Sequence, residues 1–437
     1  MYLLKLCVSL PAIAVLLYAG VRLSLASRWL QIRRLGSAFS STFQGLECGF
    51  TSLAALCTTV GGNLGVGNLS GTAVAIRSGG PGFIVWMILI IALTSIIKYV
   101  TCYISMVTKE KIGGRVYGGP VVFLRHSFKT KWASVVVAVV TLICAITVGN
   151  LVQVNSLSIS MHLIGQPPLA AGMFMAVVLV IMNMMNAERL SGAISKIVPA
   201  MTILYLALAA VTLGKFWSNI IPSIKLIYDS AFSISSLRNG AILAFIAETY
   251  AMIQVGTLRG IFATDIGLGL EGTVHSMVKS DGLEKDFAAK QSLISLISPF
   301  IVAVVTLITT MVLLTTGVWT NQALESTNMC FTAFTHALGS RYTEYLLIFI
   351  VFCFSLTTVL TWFLCSKEIL SYISHGSSVV EKCWTSLFVF VIPVGALGSV
   401  GLLWDVADLS VSVSIIVNTL GIMLLWNKYK DDMFARI

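Results

Sequence analysis

The sequence has few charged residues. Of its 437 residues, 28 are Lys or Arg and 18 are Asp or Glu, so that only 11% are charged. Hydrophobic residues make up 57% of the chain, and the mean hydropathy is +0.93. Because soluble domains carry about 25% charged residues, this composition excludes a water-soluble globular protein. It predicts an all-α polytopic membrane protein whose immediate surroundings are a lipid bilayer.

The cysteines and histidines of the sequence are not arranged in disulfide or metal-binding motifs. Its nine cysteines include no Cys-x-x-Cys pair, and its five histidines are not at the spacing of metal ligands. Neither a disulfide framework nor a zinc site is therefore predicted. The net charge is +10, but no basic block alternates with aromatic residues. We therefore expect no nucleic acid partner and attribute the positive charge to membrane topology.

The N-terminal segment has two interpretations. Lys5 followed by an apolar run over residues 10–25 is compatible with a cleaved signal peptide. Three arginines follow the run at positions 28, 33 and 34, and such charges retain a first transmembrane helix on the cytoplasmic side. The retained helix is the favoured interpretation.

Residues 60–76, VGGNLGVGNLSGTAVAI, contain five glycines inside an apolar run long enough to span a bilayer. Each glycine lowers helix stability by roughly 1 kcal/mol relative to alanine, and hydrocarbon offers no water to freed carbonyls. This segment therefore predicts a broken helix that lines a binding cavity, as in secondary transporters. The alternative is that Gly67 and Gly71 only form a close helix-packing face. A dinucleotide-binding loop is disfavoured by the glycine spacing.

The remaining apolar stretches predict eleven transmembrane helices and one interfacial helix at 222–232. The seventh is overlong, like the second, and we expect it to unwind between Gly256 and Gly267. The predicted spans are 3–26, 45–77, 83–108, 132–161, 168–186, 196–214, 238–278, 290–317, 343–370, 384–402 and 408–427.

The broken helices divide the chain into a peripheral first helix and two sets of five. The corresponding segments are 1–40, 41–215 and 216–437. Because each set has an odd number of helices, two sets inserted one after the other have opposite orientations in the membrane. This arrangement predicts an inverted repeat. Lys and Arg concentrate on the side of the loop after the first helix. This asymmetry predicts an outside N-terminus and an inside C-terminus.

Several motifs carry a resemblance to a known family. Residues 64–71 (LGVGNLSG), followed by residues 79–83 (GGPGF), are similar to the signatures of the sodium-coupled alanine/glycine symporters. Segments in the family's order follow at 149–156 (GNLVQVNS), 197–201 (IVPAM) and 404–408 (WDVAD), with Thr358 one turn before Trp362. The resemblance covers the chain from about residue 19 to residue 425.

This resemblance implies a leucine-transporter-type fold, in which helices 2, 4, 7 and 9 surround the site. It implies no organic cofactor and sodium as the coupling ion. The implied substrate-binding residues are Gly65, Gly67, Asn68, Gln153, Asn155, Thr264, Asp265, Thr358 and Trp362. The implied sodium ligands are Gly61, Leu64, Ser355, Thr357 and Thr358.

The chain departs from the family pattern at a few positions. Residues 263–267 read Ala-Thr-Asp-Ile-Gly where the family has Ser-Asn-Glu-Ala-Gly. Glu271 and Gly272 stand where the family tends to have Ala-Pro, and Ala54 takes the place of a glutamine. The eighth helix has no carboxylate where the family usually carries Asp-Thr.

The polar residues within helices each have a structural alternative. Gln153 and Asn155 could form interhelical hydrogen bonds instead of binding substrate. The hydroxyl groups of the ninth helix could bond to carbonyls of their own helix instead of forming an oxygen cage for a cation. They belong to Ser355, Thr357, Thr358 and Thr361.

The charged residues also leave alternatives open. Asp265 could pair with Arg259 across the second break or contact the substrate directly. Glu248 could pair with a neighbouring helix or take part in proton coupling. Asp405 and Asp408 are interpreted as residues at the N-terminus of the eleventh helix. The histidines near predicted helix ends, at positions 162, 275 and 336, are expected at the membrane interface.

Together, these features predict a sodium-coupled symporter that imports alanine or glycine across the bacterial cytoplasmic membrane. The alternatives are a homologue that binds an amino acid without transporting it and one coupled to protons. An enzyme is not predicted, because no nucleophile–base pair or metal motif is present. A channel is a further alternative, which would lack concentrative uptake. No pattern in the sequence specifies an oligomeric state.

Overall fold

The protein is almost entirely helical in a computed structural model that describes residues 2–42, 51–185, 187–232, 242–278 and 285–435. Within these ranges the only sheet is a two-stranded antiparallel hairpin of β1 (Glu110–Ile112) and β2 (Arg115–Tyr117). Gly113 and Gly114 connect the strands with φ of 58° and 83°, values that favour glycine.

The helices up to residue 215 are numbered in chain order. They are α1 (Tyr2–Ala26), α2 (Leu30–Arg33), α3 (Leu35–Thr42), α4 (Ser52–Asn63), α5 (Ser70–Gly79), α6 (Phe83–Thr94), α7 (Ile96–Val107), α8 (Pro120–Phe128), α9 (Lys131–Ile146), α10 (Val152–His162), α11 (Pro168–Asn183) and α12 (Ala187–Lys215). A π-helical turn, Thr147–Leu151, joins α9 to α10.

The helices after residue 215 complete the chain. They are α13 (Ile220–Ala231), α14 (Ile242–Thr264), α15 (Leu270–Ser276), α16 (Lys285–Ser295), α17 (Ile297–Thr315), α18 (Thr327–Leu338), α19 (Arg341–Ile373), α20 (Ser378–Leu397) and α21 (Val400–Ala435).

Eight segments of the described chain are long and apolar enough to cross a membrane. They are Cys7–Ala26, Phe83–Val107, Lys131–His162, Ala187–Lys215, Lys285–Thr315, Arg341–Ile373, Ser378–Leu397 and Gly401–Phe434. Helix α11 is apolar but shorter. The chain is therefore a polytopic helical membrane protein, as its composition predicts. The count of eleven crossings and the repeat of five plus five remain predictions.

The break in the second predicted helix is confirmed. Helix α4 ends at Asn63, a 3₁₀ turn covers Val66–Asn68, and α5 begins at Ser70. At the start of α4, the Thr51 hydroxyl accepts a hydrogen bond from the amide of Ala54 at 3.1 Å. The earlier part of the predicted helix, residues 45–50, lies outside the described residues.

The break in the seventh predicted helix begins near the C-terminal end of the predicted interval. Helix α14 continues through Gly256 and Gly260 to Thr264, and residues 265–269 separate it from α15. The observed break therefore overlaps the predicted interval only at its C-terminal end. Gly256 has a packing role instead, since a Cβ atom there would lie 2.9 Å from the carbonyl oxygen of Phe83 on α6.

Other boundaries also differ from the prediction. Helix α18 was not predicted, and the segment between the third and fourth predicted spans contains the hairpin and α8. Helix α21 begins at Val400, eight residues before the predicted start of the last span. The predicted interfacial helix corresponds to α13.

Around the first break, α4 packs against α12, α17 and α19, and α10 packs against α11, α19 and α20. Helix α14 packs along α6, while α1 packs along α21. The two breaks therefore lie in the interior of the helix bundle, and α10 and α19 lie beside the first one.

Candidate functional site

The first break is stabilised by its own asparagine. Asn68 is fully buried and donates its side-chain amide to the carbonyls of Asn63, at 2.7 Å, and Gly65, at 3.4 Å. Its amide oxygen accepts a hydrogen bond from Thr306 of α17 at 2.9 Å. Because unpaired carbonyls are costly in a membrane interior, these bonds maintain the unwound segment. Asn68, predicted as a substrate ligand, has this role in the present conformation.

Gln153 and Thr358 meet the first break at Gly65. The amide oxygen of Gln153 accepts a hydrogen bond from the backbone of Val66 at 3.1 Å, and its nitrogen donates to the carbonyl of Val148 at 3.0 Å. A Cβ atom on Gly65 would lie 2.6 Å from the Thr358 hydroxyl oxygen and 2.8 Å from the Gln153 amide oxygen. Only glycine fits this position without displacing one of the two side chains.

Trp362 lies one turn after Thr358 and packs against the π-helical turn. A Cβ atom on Gly149 would lie 2.4 Å from its Cβ and Cγ atoms, so glycine permits the close approach of α9 and α19. The side chain is 1% exposed, and its indole nitrogen has no hydrogen-bond partner among the described residues. A buried donor of this kind is available for a ligand.

The predicted sodium ligands fall into two groups. The hydroxyl of Thr358 donates to the carbonyl of Gly61 at 2.9 Å, and that of Ser355 donates to the carbonyl of Gln153 at 3.1 Å. Leu64, fully buried, is the residue that directly follows α4. In contrast, Thr357 donates to the carbonyl of Cys353 within its own helix at 3.0 Å.

Asn155 lies apart from Gln153. Its side-chain amide donates to the carbonyls of Gly395, at 3.2 Å, and Gly398, at 2.8 Å, at the end of α20. Residues two positions apart on a helix point in different directions, which separates the two amides. The interhelical hydrogen bond considered as the alternative for Asn155 is therefore present.

The second break is buried and contains three residues with positive φ. Asp265, Gly267 and Gly269 have φ of 53°, 86° and 85°. Thr264, which ends α14, donates its hydroxyl to the carbonyl of Gly260 at 2.6 Å. The carbonyl of Leu268 accepts a hydrogen bond from Asn418 of α21 at 2.6 Å.

Asn63 connects the two breaks. Its side-chain amide donates to the carbonyl of Thr264 at 3.0 Å and to the hydroxyl of Ser298 on α17 at 2.5 Å. The last residue of α4 is thus joined to the last residue of α14. Asn63 was not among the predicted site residues, although a polar residue at the end of an apolar half-helix could have indicated this role.

Arg259 pairs with Asp408 and not with Asp265. Its guanidinium nitrogen lies 2.7 Å from a carboxylate oxygen of Asp408, and both side chains are largely buried. The guanidinium also lies 4.7 Å from the centre of the Trp404 ring. The prediction that Asp408 caps the last helix is wrong, because α21 begins at Val400 and the carboxylate neutralises a cation from α14. Asp405, which likewise lies inside α21, does not cap the helix either.

Aromatic rings cover the glycines that follow Gly65. A Cβ atom on Gly67 would lie 3.0 Å from the ring of Phe262, and one on Gly71 would lie 3.1 Å from the ring of Trp404. The centres of these two rings are 4.6 Å apart. The first break therefore packs against α14 and α21 through glycine–aromatic contacts.

A group of buried ionisable residues lies beside the second break. Lys98 of α7 and Glu271 and His275 of α15 are each fully buried. The prediction that His275 lies at the membrane interface is therefore wrong, whereas His162 and His336 are exposed at helix ends. Lys98, a lysine within an apolar span, is the feature of the sequence that could have indicated this buried group.

Comparison with known proteins identifies the family. Residues 3–434 match the model of the sodium:alanine symporter family. The chain belongs to this family. A sodium/alanine symporter of Methanococcus maripaludis, AgcS, is 28% identical over 438 residues, which cover 94% of this chain and 91% of that protein. Membership makes the chain a membrane transport protein.

The names of two further relatives include a different ion or a different amino acid. A putative sodium/proton-dependent alanine carrier protein of Bacillus subtilis, YrbD, is 26% identical over 95% of this chain and 87% of its own length. A probable sodium/glutamine symporter of the same organism, GlnT, is 23% identical over 94% of this chain and 85% of its own length. The family thus includes proteins named for different amino acids and ions.

Proposed function

We propose that this chain is a secondary active transporter that imports a small neutral amino acid, alanine or glycine, together with sodium by alternating access. The junction of Gln153 and Thr358 at Gly65, joined to the second break through Asn63, is the observation that carries the proposal. Interrupted helices that meet inside a membrane domain are the binding elements of secondary transporters. Membership of the family supports the assignment to amino acids and cations.

The substrate carboxylate would bind at the backbone N–H groups of residues 65–68, where the end of a half-helix favours an anion. Its amine would bind near the carbonyls at the end of α14. The amide of Gln153, now bonded to Val66, is placed to exchange that bond for one to the substrate. The absence of space for a Cβ atom at Gly65 supports a small substrate.

The sodium ion would bind between α4 and α19. The Gly61 carbonyl and the Thr358 hydroxyl are already 2.9 Å apart, and both oxygens could turn towards an ion between them. Ser355 and the carbonyl of Leu64 complete the proposed set of hard oxygen ligands. Thr357 belonged to the implied set, but its hydroxyl bonds within its own helix and is the weaker candidate.

For the topology, we propose eleven crossings: the eight apolar segments, α11 and the two interrupted helices. The chain would lie in the bacterial cytoplasmic membrane with its N-terminus outside and a repeat of five plus five helices. Cys7 and Cys383 are exposed and test the orientation directly. A membrane-impermeant thiol reagent should label Cys7 and not Cys383 in intact cells, and the opposite pattern would reverse the topology.

Uptake by purified protein in proteoliposomes tests the proposed function. Labelled alanine or glycine should accumulate when an inward sodium gradient is imposed and should leave when the gradient is collapsed. Glutamine should be included as a competitor, because one relative is named for it. Binding of the amino acid without accumulation would favour a non-transporting homologue instead.

A further inference from the structure

The buried residues beside the second break form an ion pair with an unusual environment. The Nζ atom of Lys98 lies 4.0 Å from a carboxylate oxygen of Glu271, and both side chains are 0% exposed. Among the described residues, neither the ammonium group nor either Glu271 oxygen has a hydrogen-bond partner. Burying ionisable residues in this way is costly, and their presence inside a membrane protein therefore indicates a functional site.

A second carboxyl group belongs to the same cluster. Asp265 is 2% exposed, interacts electrostatically with both Lys98 and Glu271, and has one oxygen without a partner in the described chain. Two carboxylates and one ammonium group would leave one negative charge uncompensated in the interior of a membrane protein. A single bound proton removes this excess charge.

Among the described residues, the further cations nearby are bonded elsewhere: the ammonium group of Lys109 donates to the carbonyl of Val278 at 3.4 Å, and Arg259 pairs with Asp408. Near the cluster, α7 carries the thiol of Cys102 and the phenols of Tyr99 and Tyr103, and α19 carries the thiol of Cys365. Helix α4 contributes the thiol of Cys57. The charged residues of α16, at positions 285, 286 and 290, are exposed, and the basic residues of α8, at positions 125 and 126, pair with Glu110.

A line of polar side chains leads from this cluster towards the protein surface. His275 lies one turn after Glu271 on α15, and its Nδ1 is 2.8 Å from the amide nitrogen of Gln291. The amide oxygen of Gln291 accepts a hydrogen bond from Ser52 at 2.7 Å. Because Gln291 donates its N–H, neutral His275 carries its own proton on Nε2, which has no partner among the described residues.

Ser52 is half-buried at the start of α4, which is the end of that helix away from the first break. In the proposed topology, that end faces the cytoplasm. The polar line would therefore bring hydrogen-bonding groups from the cytoplasmic end of α4 to His275, one turn after Glu271.

We propose that Asp265, Glu271 and Lys98 form a proton-binding site, which takes up and releases one proton during transport. One carboxyl group carries the proton, and its release leaves a carboxylate that Lys98 stabilises only in part. The amino acid would then enter the cell together with a proton as well as sodium. The coupling of proton movement to amino acid uptake rests on the proposed function, whereas the proton-binding site itself does not.

Proton movement in proteoliposomes tests the coupling. With a pH-sensitive dye trapped inside, addition of alanine should acidify the lumen for the unmutated protein. Glu271→Gln should lose the acidification per alanine taken up, whereas Asp286→Asn, which changes an exposed carboxylate on α16, should keep it. Acidification that persists in both Glu271→Gln and Asp265→Asn would overturn the proposal.

A measurement without transport separates this inference from the proposed function. Infrared spectra of the purified protein should contain a band of a protonated carboxyl group that is absent in Lys98→Met/Glu271→Gln/Asp265→Asn. Replacing all three groups avoids an unpaired buried charge that could unfold the protein. The same spectrum in the unmutated protein and this variant would overturn the proton site, even if sodium-driven uptake were observed.

Discussion

The side-chain amide of Asn63 lies 3.0 Å from the carbonyl of Thr264, so the ends of the two half-helices are joined directly. Both residues are buried, and the same amide reaches Ser298 on α17. A movement of either broken helix must therefore break this bond or carry the other helix with it. The bond provides a physical link between the two halves of the proposed substrate site.

Asn63→Leu should destabilise the protein by about 1–3 kcal/mol, because the buried Thr264 carbonyl loses its donor. Thermal unfolding in detergent measures the change. Asn427→Leu alters an exposed asparagine on α21 and should leave the unfolding temperature nearly unchanged. Equal effects of the two substitutions would contradict a role for the Asn63 bond.

Gly65→Ala should abolish amino acid binding, because the added Cβ atom would lie 2.6 Å from the Thr358 hydroxyl and 2.8 Å from the Gln153 amide oxygen. Gly192→Ala on α12 is the matched control, since no atom lies within 4 Å of its added Cβ. Equilibrium binding of labelled alanine should be lost in the first variant and retained in the second. Retained binding in Gly65→Ala would exclude this junction as the site.

Gln153→Leu should weaken substrate binding with little loss of stability, because leucine fills a similar volume without the amide. Gln166→Leu, at an exposed position outside the helices, should leave binding unchanged. The dissociation constant for alanine, measured beside the unfolding temperature, checks this prediction. Unchanged affinity in Gln153→Leu would reduce this residue to a packing role.

Removing one partner of the buried pair of Arg259 and Asp408 should destabilise the protein by about 3–5 kcal/mol, because the other charge remains buried. Thermal unfolding of Asp408→Leu should show this loss, and Arg259→Met/Asp408→Leu should recover most of it. The exposed pair of Lys285 and Asp432 is the control, and its disruption should cost about 0–1 kcal/mol. No recovery in the double variant would indicate that the pair has a role beyond mutual neutralisation.

The sequence predicted the first break because five glycines and two asparagines fall within residues 60–76 of one apolar span. It placed the second break only within the interval from Gly256 to Gly267, because hydropathy does not distinguish a glycine that breaks a helix from one that packs against a neighbour. Gly256 packs closely against Phe83 of α6, and the helix continues through it. The break occurs instead at Asp265 and Gly267, which have positive φ.

The charged residues were the hardest to interpret from the sequence. Asp408 resembled a helix cap because the preceding residues were read as a loop, and only the fold brings Arg259 of α14 to it. Likewise, Lys98 and Glu271 are 173 positions apart, and the packing of α15 on α7 brings them together. Such pairs depend on contacts between helices that periodicity does not encode.

The dependence of uptake on sodium concentration in Thr358→Ala tests the account most directly. The Thr358 hydroxyl is 2.9 Å from the Gly61 carbonyl, whereas Thr357 bonds within its own helix. Uptake of labelled alanine into proteoliposomes, measured over a range of sodium concentrations, should show a higher half-saturating sodium concentration for Thr358→Ala than for the unmutated protein. The control Thr357→Ala should show a smaller rise or none. The same sodium dependence in Thr358→Ala and the unmutated protein would contradict a sodium site between α4 and α19.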